Sequence, residues 1–240
     1  MVNKLRAEKV LPSIETLCQR IDDRFATRGL SKVCHEFHSV ALETENHIDW
    51  IKKPILWLRV FNTLLIGIVI TLIVNALLRF DGGFVGLALV DLIGIIEAGI
   101  NDIVFLGVGI FFLVSIENRI KRSQALKALN DLRVFAHVID MHQLTKEPLR
   151  VKDSDEAQDT EHSPKRELTA FELTRYLDYC SEMLSLIGKI SALYAQAFDD
   201  EVVLAAVNEI EALTNSLARK VWQKIMIIHQ LHPEMLNINK

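Results

Sequence analysis

Four side chains capable of chemistry lie inside an otherwise apolar stretch: Asp91, Glu97, Asn101 and Asp102, within "GLALVDLIGIIEAGINDIVFLGVGIFFLVSI" at residues 86–116. Carboxylates and carboxamides can replace part of a cation's hydration shell, so a row of them inside a membrane can line an ion path. At about 100° per residue the four fall on one helical face roughly 140° wide, together with Gly94 and Ala98. The opposite face is Leu, Ile and Val. The acids therefore form a stripe.

Two arrangements satisfy that stripe. A helix over 84–100 can lie on a membrane surface, apolar side down and acids in water, avoiding an insertion cost of about 2.5–3.5 kcal/mol per acid. Alternatively it enters the bilayer and turns the stripe toward an aqueous cavity or an oligomer axis, or breaks at "AGIND" (98–102) as a re-entrant segment. The surface arrangement is cheaper and is the one expected. Gly94 and Ala98 form a small-xxx-small pair that suits close helix approach, hence self-association, in either case.

The second chemical set is histidine-rich. "CHEFH" places His35 and His38 three residues apart, and "HVIDMH" places His137, Asp140 and His142 within two turns. If helix ends converged, these five could offer nitrogen and oxygen ligands to a divalent metal. The blander role is complementing helix C-terminal dipoles, with Asp140 accepting a bond from His137. The paired Glu-x-x-His motifs of a di-iron protein are absent, as are phosphate-binding glycine loops, G-x-S-x-G and H-E-x-x-H. No cofactor is expected, and a metal-dependent enzyme is the third-ranked class. Cys18, Cys34 and Cys180 are far apart and form no C-x-x-C pair, so they read as free thiols of a reducing compartment.

The elements that must position these groups follow from hydropathy. Half of the 240 residues are hydrophobic and 24% are charged, a mixture that implies apolar residues gathered into spans and charges gathered elsewhere. The net charge of −4, without a basic stripe interleaved with aromatics, gives no reason to expect nucleic acid. Residues 60–78 carry no charge and, as a helix, would cover about 29 Å, the depth of a hydrocarbon core. A second span is expected at about 101–118, joined to the first by the turn-like "RFDGG" and the amphipathic segment 84–100. Lys52, Lys53 and Arg59 precede the first span, and Arg119, Lys121, Arg122 and Lys127 follow the second. With only Arg79 between them, both termini are expected on the cytoplasmic side, in the inner membrane if the source is bacterial. The charged N-terminal segment carries no signal-peptide core.

Outside the membrane region (54–118) the periodicity predicts helices throughout. N-terminal helices occupy 1–53, with Ile14, Leu17, Ile21 and Phe25 on one face, an end at Gly29, and Ser31 capping a second helix. A helix over 119–146 carries Ala125, Ala128, Leu129, Leu132, Phe135, Ala136 and Ile139, and stops before Pro148. Residues 147–166 read as a flexible linker. In 167–230, Thr169 and Glu172 have capping-box spacing ahead of a seam through Leu173, Leu177, Cys180, Leu184, Ile187, Ser191, Tyr194 and Phe198. After "DD" at 199–200 a second seam runs through Val203, Val207, Ile210, Thr214, Leu217, Val221, Ile225 and Ile228, which predicts an antiparallel coiled-coil-like hairpin before the tail 231–240.

The expected fold is thus an all-α membrane protein with two transmembrane helices and a cytoplasmic helical bundle. Its expected role is that of a homo-oligomeric, membrane-anchored scaffold or sensor with a lipid bilayer, its own copies and a cytoplasmic protein as partners. An oligomeric cation channel or transport component with the acidic stripe on its path is the alternative.

Overall fold

The computed structural model describes residues 5–26, 28–79, 89–152 and 160–233, in which six helices form: α1 (Ala7–Phe25), α2 (Gly29–Lys52), α3 (Leu56–Arg79), α4 (Leu89–Leu144), α5 (Ala170–Ala197) and α6 (Glu201–Leu231). No strand occurs among the described residues. Two of the helices are long and apolar enough to cross a membrane. The chain divides into two compact units, one of Met1–Lys52 with Gln124–Lys240, the other of Lys53–Ser123.

In the larger unit, the helix starts are chemical. Thr169 accepts a hydrogen bond from the Glu172 backbone N–H (3.2 Å), while the Glu172 carboxylate accepts one from the Thr169 N–H (2.9 Å). This reciprocal pair satisfies donors that a helix start otherwise leaves unmade. Asp200 does the same for α6, accepting from the N–H groups of Val202 (3.1 Å) and Val203 (3.2 Å).

The two helices so started run in opposite senses against each other. Gly188 of α5 faces Thr214 of α6, and Asp178 interacts electrostatically with His229. Their inner faces join α1, α2 and the part of α4 beyond Ser123 in one hydrophobic core containing Ile14, Phe37, Leu129, Leu177, Met183 and Val221. Every seam residue expected in α6 is buried, and in α5 only Phe198 is partly exposed.

Several details of the larger unit differ from expectation. Cys18 and Cys34 are not free thiols but form a disulfide joining α1 to α2, with their Cα atoms 5.5 Å apart. Of the three cysteines, Cys180 alone is free, and it is buried. Helix α1 ends at Phe25 and α2 begins at Gly29, so Ser31 lies within the first turn instead of capping it. Its hydroxyl donates to Asp22 (2.6 Å), an option that a short polar side chain prefers when a carboxylate lies within reach. The segment after α4 also contributes to the core: Val151 is buried, and the Lys152 N–H donates to the Leu168 carbonyl (2.9 Å). Residues 153–159 of the expected linker and 234–240 of the tail lie outside the described residues.

In the smaller unit, α3 has 24 residues, about 36 Å of helix and enough for one crossing. Helix α4 runs on through residues 98–102 without a break, so the described part of the segment expected as a separate amphipathic helix is continuous with the expected second span. The cost is small: no proline interrupts "AGIND", and its weakest helix former, Gly99, costs only about 1 kcal/mol in a helix interior. The turn at 80–83 and the start of the 84–100 segment, through 88, lie outside the described residues.

Candidate functional site

The smaller unit is organised by one carboxylate. Glu117, at 9% exposure, accepts from Arg59 twice, Nε at 2.8 Å and Nη2 at 3.2 Å. The Ile55 backbone N–H points at the same group (3.4 Å), and the ammonium of buried Lys121, one turn on, lies 2.8 Å from it. A buried charge is tolerable only when such partners replace its water. One turn further along, Asn62 donates its amide to the Leu113 carbonyl at 2.8 Å. The pairs Arg59–Glu117 and Asn62–Leu113 show α3 and α4 passing each other in opposite senses.

Beyond that clasp the side chains become apolar and bare. Leu64, Ile68, Ile70 and Val74 of α3 are exposed, as are Ile103, Val104, Phe105, Phe111 and Phe112 of α4. Residues 103, 104 and 105 are successive, about 100° apart, so the exposed surface wraps around the helix. The few polar side chains turn inward on their own backbone: Thr63 donates to the Arg59 carbonyl (2.7 Å), Thr71 to Gly67 (2.8 Å) and Ser115 to Phe111 (2.7 Å).

Of the acidic stripe, Glu97 and Asn101 are exposed on α4. Asp91 and Asp102 belong to the same helix, but their side chains lie outside the described ones.

The histidines do not assemble. His35 pairs with Asp22 (2.7 Å), whose carboxyl is held below its usual range by hydrogen bonds from Ser31 and then His35. His38 is half-buried on α2, and His137 is exposed. Asp140 accepts from Gln143 (2.6 Å) instead of His137. The His142 ring lies against Gly29, its Cε1 atom 2.6 Å from where a Cβ would stand. Among the described residues no three His, Cys, Asp or Glu side chains come together as metal ligands.

Sequence reasoning missed the Glu117 clasp. Its signal was there: an acid directly after a charge-free run, and an arginine directly before the other run. Comparison with protein-family models, curated proteins and solved structures finds no match to this chain.

Proposed function

We propose that this chain is an integral membrane protein in which α3 and the apolar part of α4 each cross the bilayer. Its larger unit would serve as a helical-bundle interaction or sensing module of a homo-oligomer. One observation carries the reading: most of the described apolar side chains of α3 and of α4 between residues 100 and 114 are exposed, where a water-soluble helix exposes a polar face. The Glu117 clasp supports it, because fully satisfied charges at one end of two apolar helices suit a membrane–water boundary.

Positive residues flanking the crossings favour a cytoplasmic position for both chain ends. The Cys18–Cys34 bridge pulls the other way, since disulfides persist in oxidising compartments. Reporters that fluoresce only in the cytoplasm, fused singly to each end, test both points. Two bright fusions support the proposal, two dark ones reverse the orientation, and one of each overturns the double crossing. The chain should also stay with membranes through an alkaline wash.

Exposed Glu97 and Asn101 on an otherwise apolar helix favour a second reading, a cation path formed between copies. Liposomes holding the protein would then pass monovalent cations, and Glu97→Gln with Asp91→Asn and Asp102→Asn would reduce the flux. Tight liposomes across several lipid compositions would sink it.

A further inference from the structure

The larger unit holds a cleft of about 450 Å³ where the start of α2, the end of α4 and the first turns of α5 meet. Its polar lining is Arg28, His142, Thr145, Lys146, Glu167 and Tyr176. The Arg28 guanidinium lies over the Phe25 ring, 5.6 Å from its centre, with one nitrogen left without a hydrogen-bond partner. Its Nη1 atom is shielded from solvent and makes no hydrogen bond. The nearest carboxylate oxygen, on Glu167, is 3.7 Å away, an ion pair beyond hydrogen-bond length. A desolvated charged donor left without an acceptor is costly, which makes an oxygen-rich anion in the cleft favourable.

The second cation is Lys146, whose ammonium stands over the Tyr176 ring, 5.4 Å from its centre. The ring forms part of the wall, and its hydroxyl is directed at the His142 carbonyl at 3.5 Å. Of the acids near the cleft, Glu147 pairs with Arg150 (2.6 Å), and Glu172 caps α5 while also interacting electrostatically with Arg28. Glu167 is the one acid in the lining, facing two permanent cations and His142. The Thr145 hydroxyl adds a neutral donor.

We propose that this cleft binds a phosphate monoester, with Arg28 and Lys146 holding the phosphate oxygens and Thr145 and His142 completing the shell. Two sources share that chemistry, a soluble phosphorylated metabolite and the headgroup of a monoester phospholipid. The proposal does not depend on the membrane reading.

The test uses the full-length protein in detergent, titrated calorimetrically with inorganic phosphate and with glycerol 3-phosphate against chloride at equal ionic strength. Parallel samples sit in nanodiscs of phosphatidylcholine with or without phosphatidic acid, read by thermal shift. Saturable binding near 1 mM or tighter is expected. Lys146→Gln should weaken it about tenfold. Gly29→Ala, which displaces the His142 ring, should weaken it as well, whereas Lys32→Gln on the exposed side of α2 should not. Helicity measured on each variant identifies any that fails to fold, and Lys146→Gln changes no core residue. Binding of the soluble monoester identifies a metabolite site; a shift confined to phosphatidic acid nanodiscs and abolished by Lys146→Gln identifies a lipid site. If nothing binds in either arm, or Lys146→Gln binds as well as wild type, the inference is wrong.

Discussion

Arg59 and Glu117 face each other through two hydrogen bonds, 2.8 and 3.2 Å long, at one end of the paired parts of α3 and α4. The acid is the shared partner, since Lys121 and the Ile55 N–H also turn toward it. Replacing Glu117 by Gln leaves Lys121 buried without its counter-charge, whereas replacing Arg59 by Lys keeps a cation at the site. Glu117→Gln is expected to lower the melting temperature in detergent by several degrees, and Arg59→Lys by less. Scanning fluorimetry with the two variants side by side reads the order, and equal melting would show that the clasp contributes nothing.

The disulfide between Cys18 and Cys34 closes a loop with a sequence separation of 16, for which chain-entropy arguments give about 3 kcal/mol. Denatured but unreduced protein should therefore expose one titratable thiol, that of Cys180, and three after reduction. Cys18→Ser should shift the denaturant midpoint downward without changing helicity. Three thiols before reduction would show the bridge open in the purified protein.

Asp22 ties α1 to α2 through Ser31 and His35. Hydrogen bonds from Ser31 first, and His35 second, hold its carboxyl below the ordinary range. A depressed carboxyl contributes stability that is fully present above its unfolded value of about 4 and lost as pH falls through the folded value. Wild type should therefore lose stability below about pH 4 more steeply than Asp22→Asn. Equilibrium unfolding at stepped pH compares the slopes, and parallel curves would dismiss the contribution.

Gly188 sits mid-helix in α5, and a Cβ there would meet the Thr214 hydroxyl at 3.4 Å, an ordinary contact. Alanine fits and removes the glycine's entropic cost, so Gly188→Ala should stabilise the α5–α6 pair by about 0.5–1 kcal/mol. Chemical denaturation of this variant beside wild type supplies the sign.

Burial of Cys180 pushes its thiol up to about 12. At pH 8 it should react with a maleimide only as fast as the larger unit opens, a rate that pulse labelling follows by mass. Prompt labelling would mean that the core around α5 opens freely.

Legibility differed by kind of contact. The α6 seam was readable because one helix face decides it: all eight expected positions, from Val203 to Ile228, are buried. The caps at Thr169 and Asp200 were readable because the interacting groups are three residues apart or fewer. The Cys18–Cys34 bridge was not, since it depends on where the chain turns. A separation of 16 residues and an odd cysteine count point to free thiols, and only the fold-back of α2 on α1 brings the two Cα atoms to 5.5 Å. The Arg28–Lys146 cleft was unreadable for a related reason: its walls come from three helices whose ends only tertiary packing brings together.

Arg20 of α1 grips Glu182 of α5 with two hydrogen bonds across 162 residues. During translation, α1 and α2 emerge first and then wait roughly seven to thirty seconds, at the usual pace of about 5–20 residues per second, until α5 is made. For that interval Ile14, Leu17 and Phe37 lack the neighbours that later cover them, just as two greasy segments are leaving the ribosome. A nascent chain so built has reason to be shielded early by a chaperone or by the insertion machinery itself.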